Sequence, residues 1–459
     1  QSLRPVYLPT CCGWHLILVR IAELVDMKFI STRTGHAVRI EQAIMSGTAP
    51  DGGLYVPDSL PSYEIDTFDG LDIFAAIAAQ FLAPFFSGSS LESVLPGICH
   101  EALDFPVPLI RLPDEPHAIS VLELFHGPTA AFKDVGARFL AATMVSIIEK
   151  GEFAQPLVTI LVATSGDTGG AVAAAYHRKP GTRVVVLFPD GRVSPRQQHQ
   201  LTCWGDNVVA LAVRGEFDDC QRLVKAAFAD PALNSAHNLV SANSINVGRL
   251  LPQAAYYAKC SLEHYRATGA VSNFIVPTGN LGNGFACVWA RRMGMPIGRI
   301  VFATNENATI PDFLLSGEYE PRPSKATLAS AMDVGDPSNM ERLQALCGDV
   351  DGIREIVSAQ SVSDAVIRAT IRDEYERHGT AWCPHTATGL HVYRNLPEAE
   401  KQAGHWVVVA TAHAAKFDTI VEPLLDQQIE PPVELARLLD WSVDYKTIDA
   451  ELDQVAQAL

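Results

Sequence analysis

From Leu157 onward the chain alternates short runs rich in valine and isoleucine with helix-forming segments, and this alternation constrains the fold more than any other feature. "LVTILVA", "TRVVVLF", "NVVALAV", "SNFIVP", "RIVFATN" and "HWVVVA" are apolar along most of their length rather than at every second residue, as strands buried on both faces would be. Between them lie "TGGAVAAAYH", a segment opening near Pro195, "EFDDCQRLVKAAFAD" and "NGFACVWARRMG", which read as helices. Strands of that kind separated by helices give a parallel α/β sheet with right-handed crossovers. Functional groups in such sheets gather at the carboxyl ends of the strands.

Two glycine-rich loops fall at such ends. "VATSGDTGGAV" sets Thr164, Ser165, Gly166, Asp167 and Thr168 between a strand and a helix N-terminus, and "VPTGNLGNGFA" repeats the arrangement with Gly279, Asn280, Leu281, Gly282 and Asn283. Free backbone N–H groups and the helix dipole favour an anion there, so two cradles in one sheet imply two anionic groups. Either loop alone is equally well read as a tight turn with close helix packing. Neither carries the Gly-Lys-Ser/Thr ending of a nucleotide loop or the spacing of a dinucleotide fold, which makes ATP and NAD poor candidates.

Composition narrows the partners. The 459 residues are 48% hydrophobic, enough for a large core in roughly two to three domains. Lysine and arginine number 35 against 52 acidic residues, a net charge of −17 that argues against nucleic acid or an anionic membrane as partner. The nine cysteines show no CxxC spacing, so neither a disulfide framework nor a zinc site is indicated, and no metal is expected. "WHLILVRIAELV" is broken by Arg20 and Glu23, is too short to span a bilayer and is followed by no small-residue cleavage site. The expectation is a reduced, cytoplasmic protein. Residues 1–26 lack coherence with the rest of the chain, whereas the segment from Met27 reads like a domain start; the first 26 residues are expected to be an extension outside the core, the rival being an arm packed on a neighbour.

In "LELFHGPTAAFKDVGARFL", Lys133 follows Ala130, Ala131 and Phe132 after a Gly-Pro turn and opens a helix. An apolar setting lowers a lysine's pKa and frees a neutral amine. An amine beside a phosphate cradle suggests pyridoxal 5′-phosphate, which needs an amine for its aldehyde, a helix N-terminus for its phosphate and a partner for its ring nitrogen. Lys133, the loop Gly279 to Asn283, and Thr411 after "WVVVA" are the candidates. A neutral hydroxyl at the ring nitrogen suits elimination and replacement chemistry. On motif mechanics alone Lys133 could still be a surface lysine, and Thr411 a strand-end hydroxyl bonding its own backbone.

Taken in order, "FHGPTAAFKDVGARFL", "TSGDTGGAV", "NSINVGRLLPQ", "PTGNLGNGFA" and "ATAHAAKF" resemble the threonine synthases, pyridoxal-phosphate enzymes of the tryptophan-synthase-β fold, and "FISTRTGHAVRIEQAIMSGTAPDGGLYVP" resembles that family's N-terminal domain. The resemblance runs from about Met27 to the C-terminal region. It implies a fold type II α/β protein with residues 27–112 as the N-terminal domain and 113–459 as a catalytic region of two parallel-sheet lobes. It also implies that Lys133 forms the imine with the cofactor, that Gly279, Asn280, Leu281, Gly282 and Asn283 hold its phosphate, and that Thr411 meets the ring nitrogen. Ser165, Asp167 and Thr168 would face the amino-acid end of the substrate, with Thr164 and Gly166 shaping their loop. Asn243, Ser244, Asn246 and Arg249 would serve the substrate phosphate, Arg249 having a surface position on its helix as the rival reading. Two departures stand out: Thr34 is inserted in Ser31-Thr32-Arg33-Thr34-Gly35, and Leu281 replaces a frequent phenylalanine. The reaction implied is conversion of O-phospho-L-homoserine and water into L-threonine and phosphate by a monomer or homodimer. The alternatives are a phospholyase or dehydratase of the same fold, against which "TSGDTGG" stands where dehydratases carry Ser-Gly-Asn-His, and a catalytically idle relative.

Overall fold

The computed structural model describes residues 3–10, 13–20, 27–113, 115–151 and 157–459. Of the first 26 residues it describes an antiparallel hairpin, Leu3–Thr10 with Gly13–Arg20, and the remainder of the expected extension lies outside the described residues.

The valine-rich runs become strands of two sheets, as the two parallel-sheet lobes implied by the family resemblance require, and not of the single sheet that the alternation alone suggested. Val158–Ala163, Thr182–Pro189 and Val208–Arg214 lie side by side in a parallel sheet, flanked by the short Leu239–Val240 and, from the end of the chain, Lys446–Asp449. Ser272–Pro277, Ile297–Thr304, Val357–Ser361, His405–Ala410 and Ile119–Glu123 form the parallel part of a six-stranded sheet. The two glycine-rich loops therefore follow strands of different sheets, which corrects the expectation of two cradles in one sheet. Apolar runs identify buried strands but not their neighbours, since the pairing depends on contacts far apart in sequence. Every residue of Val158–Ala163, Ser272–Pro277 and His405–Ala410 is buried, as covered parallel strands require.

Leu109–Arg111 pairs antiparallel with Ile119–Glu123 at the edge of the larger sheet. It lies on the N-terminal side of the boundary drawn at residue 113, so the catalytic body takes in residues assigned to the preceding domain. Its two exposed residues gave no buried-strand signal, as is common at an edge.

The N-terminal portion has a small antiparallel sheet, Phe29–Ser31 between Ala37–Val38 and Tyr55–Pro57, and the helices Ile40–Ser46, Phe74–Leu82 and Leu95–Ala102. Its buried side chains do not form a separate core. Phe29, Ile44, Phe81 and Phe86 belong to the same cluster as Phe139 and Leu140 of helix Lys133–Glu149 and Tyr256 of helix Val247–Thr268.

Those two helices cross closely because Gly136 carries no side chain. A Cβ there would lie 2.6 Å from the Arg249 carbonyl oxygen and 2.9 Å from Arg249 Nε. A glycine-to-alanine change inside a helix ordinarily gains about 1 kcal/mol, whereas overpacking costs roughly 1–3 kcal/mol. Gly136→Ala is therefore expected to destabilise by up to about 2 kcal/mol, read as a lower midpoint in denaturant unfolding, although the same change in an uncrowded helix would raise it.

Candidate active site

Helix Lys133–Glu149 begins where two strand ends are tied together. Beyond Ile119–Glu123 and His405–Ala410, the Phe132 N–H donates to the Thr411 carbonyl at 2.8 Å and the His413 N–H to the Ala130 carbonyl at 3.0 Å. Lys133 is thereby held beside Thr411. Asp134 fixes the approach: buried, it accepts from the Thr129 N–H at 2.8 Å and the Thr129 hydroxyl at 2.7 Å. Ala130 adopts φ 54°, a left-handed conformation uncommon for a residue with a Cβ.

Lys133 faces a cavity of about 1300 Å³ between the two sheets. The cavity is also lined by Thr164, Ser165, Asp167, Thr168, Asn243, Ser244, Arg249, all of Gly279 to Asn283, and Thr411. Burial pushes the Lys133 ammonium down to about 8; Asp167 opposes the fall, while Arg249 and Lys416 add to it. The surface-lysine reading is excluded.

The loop after Val158–Ala163 is shaped from within. Thr164 Oγ1 accepts the N–H groups of Gly166 and Gly169, both at 2.9 Å. Gly166 has φ 137° and lies against Gln197, where a Cβ would come within 2.7 Å of the side chain; it does not line the cavity. Asp167 opens helix Asp167–Tyr176, and its Oδ1 meets Lys416 Nζ at 3.0 Å and accepts from Gln197 Nε2 at 3.0 Å. Burial alone would raise this carboxyl, yet Lys416, Lys133 and His385 hold it well below the carboxylate range.

In the second loop Leu281 is left-handed at φ 61° and precedes helix Gly282–Arg292. Asn280 joins three segments: its Nδ2 donates to Ser244 Oγ at 2.6 Å and its Oδ1 accepts from the Ser338 N–H at 2.6 Å. A Cβ on Gly279 would lie 2.6 Å from Met332 Cα, so the loop containing Met332 packs directly on the cradle, whereas one on Gly282 would meet nothing nearer than 3.6 Å. No acceptor is seen among the described residues for the N–H groups of Leu281, Gly282 and Asn283.

Arg249 is buried rather than on the helix surface, and burial pushes its guanidinium down to about 10. Nη1 donates to the Ala242 carbonyl at 2.5 Å, and Nε has no partner among the described residues. Asn246 does not belong with it. Fully buried and off the cavity lining, Asn246 accepts the Gly248 N–H at 2.9 Å and donates to the carbonyls of Ile44 at 2.8 Å and Ser241 at 3.1 Å, the work of a helix cap. The substrate role expected for Asn246 is corrected accordingly.

Several contributors carry little signal in the sequence. Lys416 lies within "ATAHAAKF", where nothing local gives it a role. His385, on helix Pro384–Arg394, accepts the Ala331 N–H at 3.1 Å through Nε2, which places the proton of its neutral ring on Nδ1; burial pushes it down to about 4. Its only sequence signal is a Cys-Pro-His helix start. Gln253, lining the cavity from helix Val247–Thr268, has none.

Pyridoxal phosphate can be tested against these residues. Among buried side-chain atoms without a hydrogen-bond partner, Arg249 Nε, Gln253 Oε1, Asn283 Nδ2 and His385 Nδ1 all belong to residues lining this cavity. Buried polar groups are ordinarily paired, so this concentration marks a polar ligand's place. With the free N–H groups at a helix N-terminus and a neutralisable lysine, the residues fit the cofactor.

Comparison with known proteins decides the family. Residues 28–103 match the threonine synthase N terminus, 102–412 the pyridoxal-phosphate dependent enzymes, and 386–459 the threonine synthase C-terminal region. Threonine synthase of Serratia marcescens is 38% identical over 92% of this chain and 96% of its own length, and that of Escherichia coli K12 is 38% identical over 88% and 92%. The chain belongs to the threonine synthase family. The crystal structure of the Escherichia coli threonine synthase superposes with a TM-score of 0.83 at 34% identity over 94% of this chain and 99% of that one. A threonine synthase of Brucella melitensis with pyridoxal phosphate bound gives 0.86 at 34% identity over 94% and 98%. As in the rest of this threonine synthase family, the fold is pyridoxal-phosphate type II with an N-terminal domain, and the cofactor is pyridoxal phosphate. No helix among the described residues is long and apolar enough to cross a membrane.

The loop bearing Met332 is held by Asp333. Its Oδ1 accepts from the Thr327 hydroxyl and Asn305 Nδ2, each at 2.7 Å, and its Oδ2 from the Thr327 N–H at 3.0 Å. Burial raises its carboxyl from 3.8 to about 6 despite these bonds. A raised folded-state value favours the protonated form, so its contribution to stability is full below about 3.8 and lost as pH rises through about 6. The stability of the native protein relative to Asp333→Asn should fall across that window, measured by denaturant unfolding at a series of pH values; a constant difference would contradict it.

Proposed function

We propose that this cavity converts O-phospho-L-homoserine and water into L-threonine and phosphate. The observation that carries the reading is the combination of Lys133, half-buried with a lowered proton affinity, and a buried guanidinium, Arg249, whose Nε has no partner among the described residues, in the same cavity as a helix N-terminal phosphate cradle. One anionic group suits the cradle and another suits Arg249.

Bound pyridoxal phosphate supplies the electron sink that lets protons leave the substrate carbons and the γ-phosphate depart. The protein supplies the rest. Backbone N–H groups from Gly279 to Asn283 bind the cofactor phosphate, and the Thr411 hydroxyl meets the ring nitrogen as a neutral partner. The Lys133 amine holds and moves the proton at the substrate α and β carbons, a task suited to an amine titrating near neutrality. Ser165 and Thr168 orient the amino-acid end, with Thr164 and Gly166 fixing their loop and Asp167 at its head. Asn243, Ser244 and Arg249 receive the substrate phosphate. The setting proposed is reduced and cytoplasmic, as the scattered spacing of the nine cysteines implies. Within that setting the enzyme acts as a monomer or homodimer on a small-molecule substrate.

Phosphate release measured beside threonine formation tests the reaction: equal yields are expected, and phosphate with an oxoacid in place of threonine would mark a phospholyase. In the same assay Lys133→Ala should lower turnover by at least about 10²–10⁴-fold, the range for general acid–base catalysis alone.

Arg249→Ala should lower kcat/KM for O-phospho-L-homoserine by roughly 10- to 150-fold, corresponding to about 1.5–3 kcal/mol for a charge-assisted contact. Visible absorbance of the bound cofactor should persist, and Arg249→Lys should recover only part of the loss because an ammonium cannot reproduce the guanidinium fork. Unchanged kinetics would remove Arg249 from the phosphate.

A further inference from the structure

Lys416 is a fully buried lysine with no part in the steps above. It lies in the short helix Ala414–Phe417, beyond the strand that leads to Thr411. Its Nζ is 3.0 Å from Asp167 Oδ1 and donates to the Thr129 carbonyl at 2.6 Å. The segment is held in place by its backbone: the Lys416 carbonyl accepts from Ser194 Oγ at 3.0 Å, and the Ala415 carbonyl from Arg196 Nη1 at 2.8 Å. Lys416 does not line the cavity, whereas Asp167 and Lys133 both do.

Asp167 is thus a buried carboxylate within electrostatic reach of two lysines. The ion pair and the Gln197 contact both fall on Oδ1, and Oδ2 accepts no hydrogen bond among the described residues. A carboxylate in a poorly solvated site attracts the nearest available cation and holds it charged. Were Lys416 absent, that cation would be Lys133, and an ammonium so held has no lone pair for the aldehyde of the cofactor. The other groups facing Lys133 cannot take the part. Arg249, on the adjoining helix, adds positive charge; His385 stays neutral through burial; burial also raises the Cys383 thiol.

We propose that Lys416 is a positioning residue that claims the Asp167 carboxylate and so leaves Lys133 able to act as a free amine at neutral pH. The inference rests on Lys133 being the cofactor's amine partner. Lys416 touches neither substrate nor cofactor and acts through Asp167.

The test is the pH dependence of cofactor loading. Full-length protein stripped of cofactor is given pyridoxal 5′-phosphate over roughly pH 6 to 10, a span that brackets the ordinary lysine value, and the rate at which bound-cofactor absorbance appears is followed. Its half-point reports the free-amine fraction of the coupled cluster. Lys416→Met should move the half-point upward by roughly one to three units, the usual effect of an exposed opposite charge. Lys416→Arg, which keeps the charge, should leave it near the native value. Asp167→Asn should lower it, and the double variant Lys416→Met with Asp167→Asn should cancel the upward shift. Reversal by removal of the carboxylate is something a merely structural lysine would not show.

An unmoved half-point in Lys416→Met, or an upward shift that survives in the double variant, overturns the proposal. If Lys416→Met does not fold, Lys416→Arg and Asp167→Asn carry the test: native and lowered half-points support it, and an unmoved half-point in Asp167→Asn overturns it. Failure of the underlying reading looks different. Borohydride trapping and peptide mass would then find cofactor attached at a residue other than Lys133, whatever the half-points do.

Discussion

Two hydrogen bonds join the turn before Lys133 to the segment after the strand His405–Ala410, and the site is organised around them. Past the ends of the parallel strands Ile119–Glu123 and His405–Ala410, the Phe132 N–H to Thr411 carbonyl bond and the His413 N–H to Ala130 carbonyl bond make an antiparallel bridge between Ala131 and Ala412. Between them they set the amine beside the ring-nitrogen candidate. Further along the same segment, Lys416 is brought against Thr129 and Asp167. The left-handed Ala130 is the local strain this crossing entails, held by the Asp134 carboxylate that fastens the turn from below.

What could be read in the sequence was what is local. Fully apolar runs identify covered strands, and glycine-rich loops after them identify helix N-termini, because both signals are complete within a dozen residues. Lys133 was legible for the same reason, standing alone after Ala-Ala-Phe. The allocation of strands to two sheets was not legible, nor was the return of Lys446–Asp449 to the first of them, since pairing partners lie far apart in the chain. Asn246 shows the limit within a motif. Asparagine beside serine and arginine suits a phosphate, but asparagine before a helix equally suits a cap, and only the packing of Ile44 against that turn decides.

Lys416 and His385 escaped notice for a related reason. A lysine in an apolar stretch and a lone histidine are chemically mute until their neighbours are known. Once placed, each is specified by burial: Lys416 has no water to turn to and so must find Asp167, and His385 must remain neutral, which gives it one accepting and one donating nitrogen. The cavity's polar atoms without partners obey the same logic from the other side, since buried polar groups are ordinarily paired and these border the space a polar ligand would fill.

The N-terminal portion is bound to this machinery by a buried guanidinium. Arg342, with no exposed surface, donates to the Tyr55 carbonyl at 3.0 Å, the Ile245 carbonyl at 2.7 Å and Asn339 Oδ1 at 2.6 Å. Asn339 in turn donates to the Asn280 carbonyl at 2.9 Å. A strand of the small sheet, the loop before helix Val247–Thr268 and the phosphate cradle therefore share one cation. Burial pushes its pKa down to about 9, so it keeps its charge at neutral pH and depends on all these oxygens at once. Leaving a buried charged donor without a partner costs about 1–3 kcal/mol or more. Displacing Tyr55 thus bears on the cradle through Arg342 as well as through the shared core of Phe29, Phe81 and Phe139. The small sheet is in this sense a wall of the active site, although none of its strands touches the cavity.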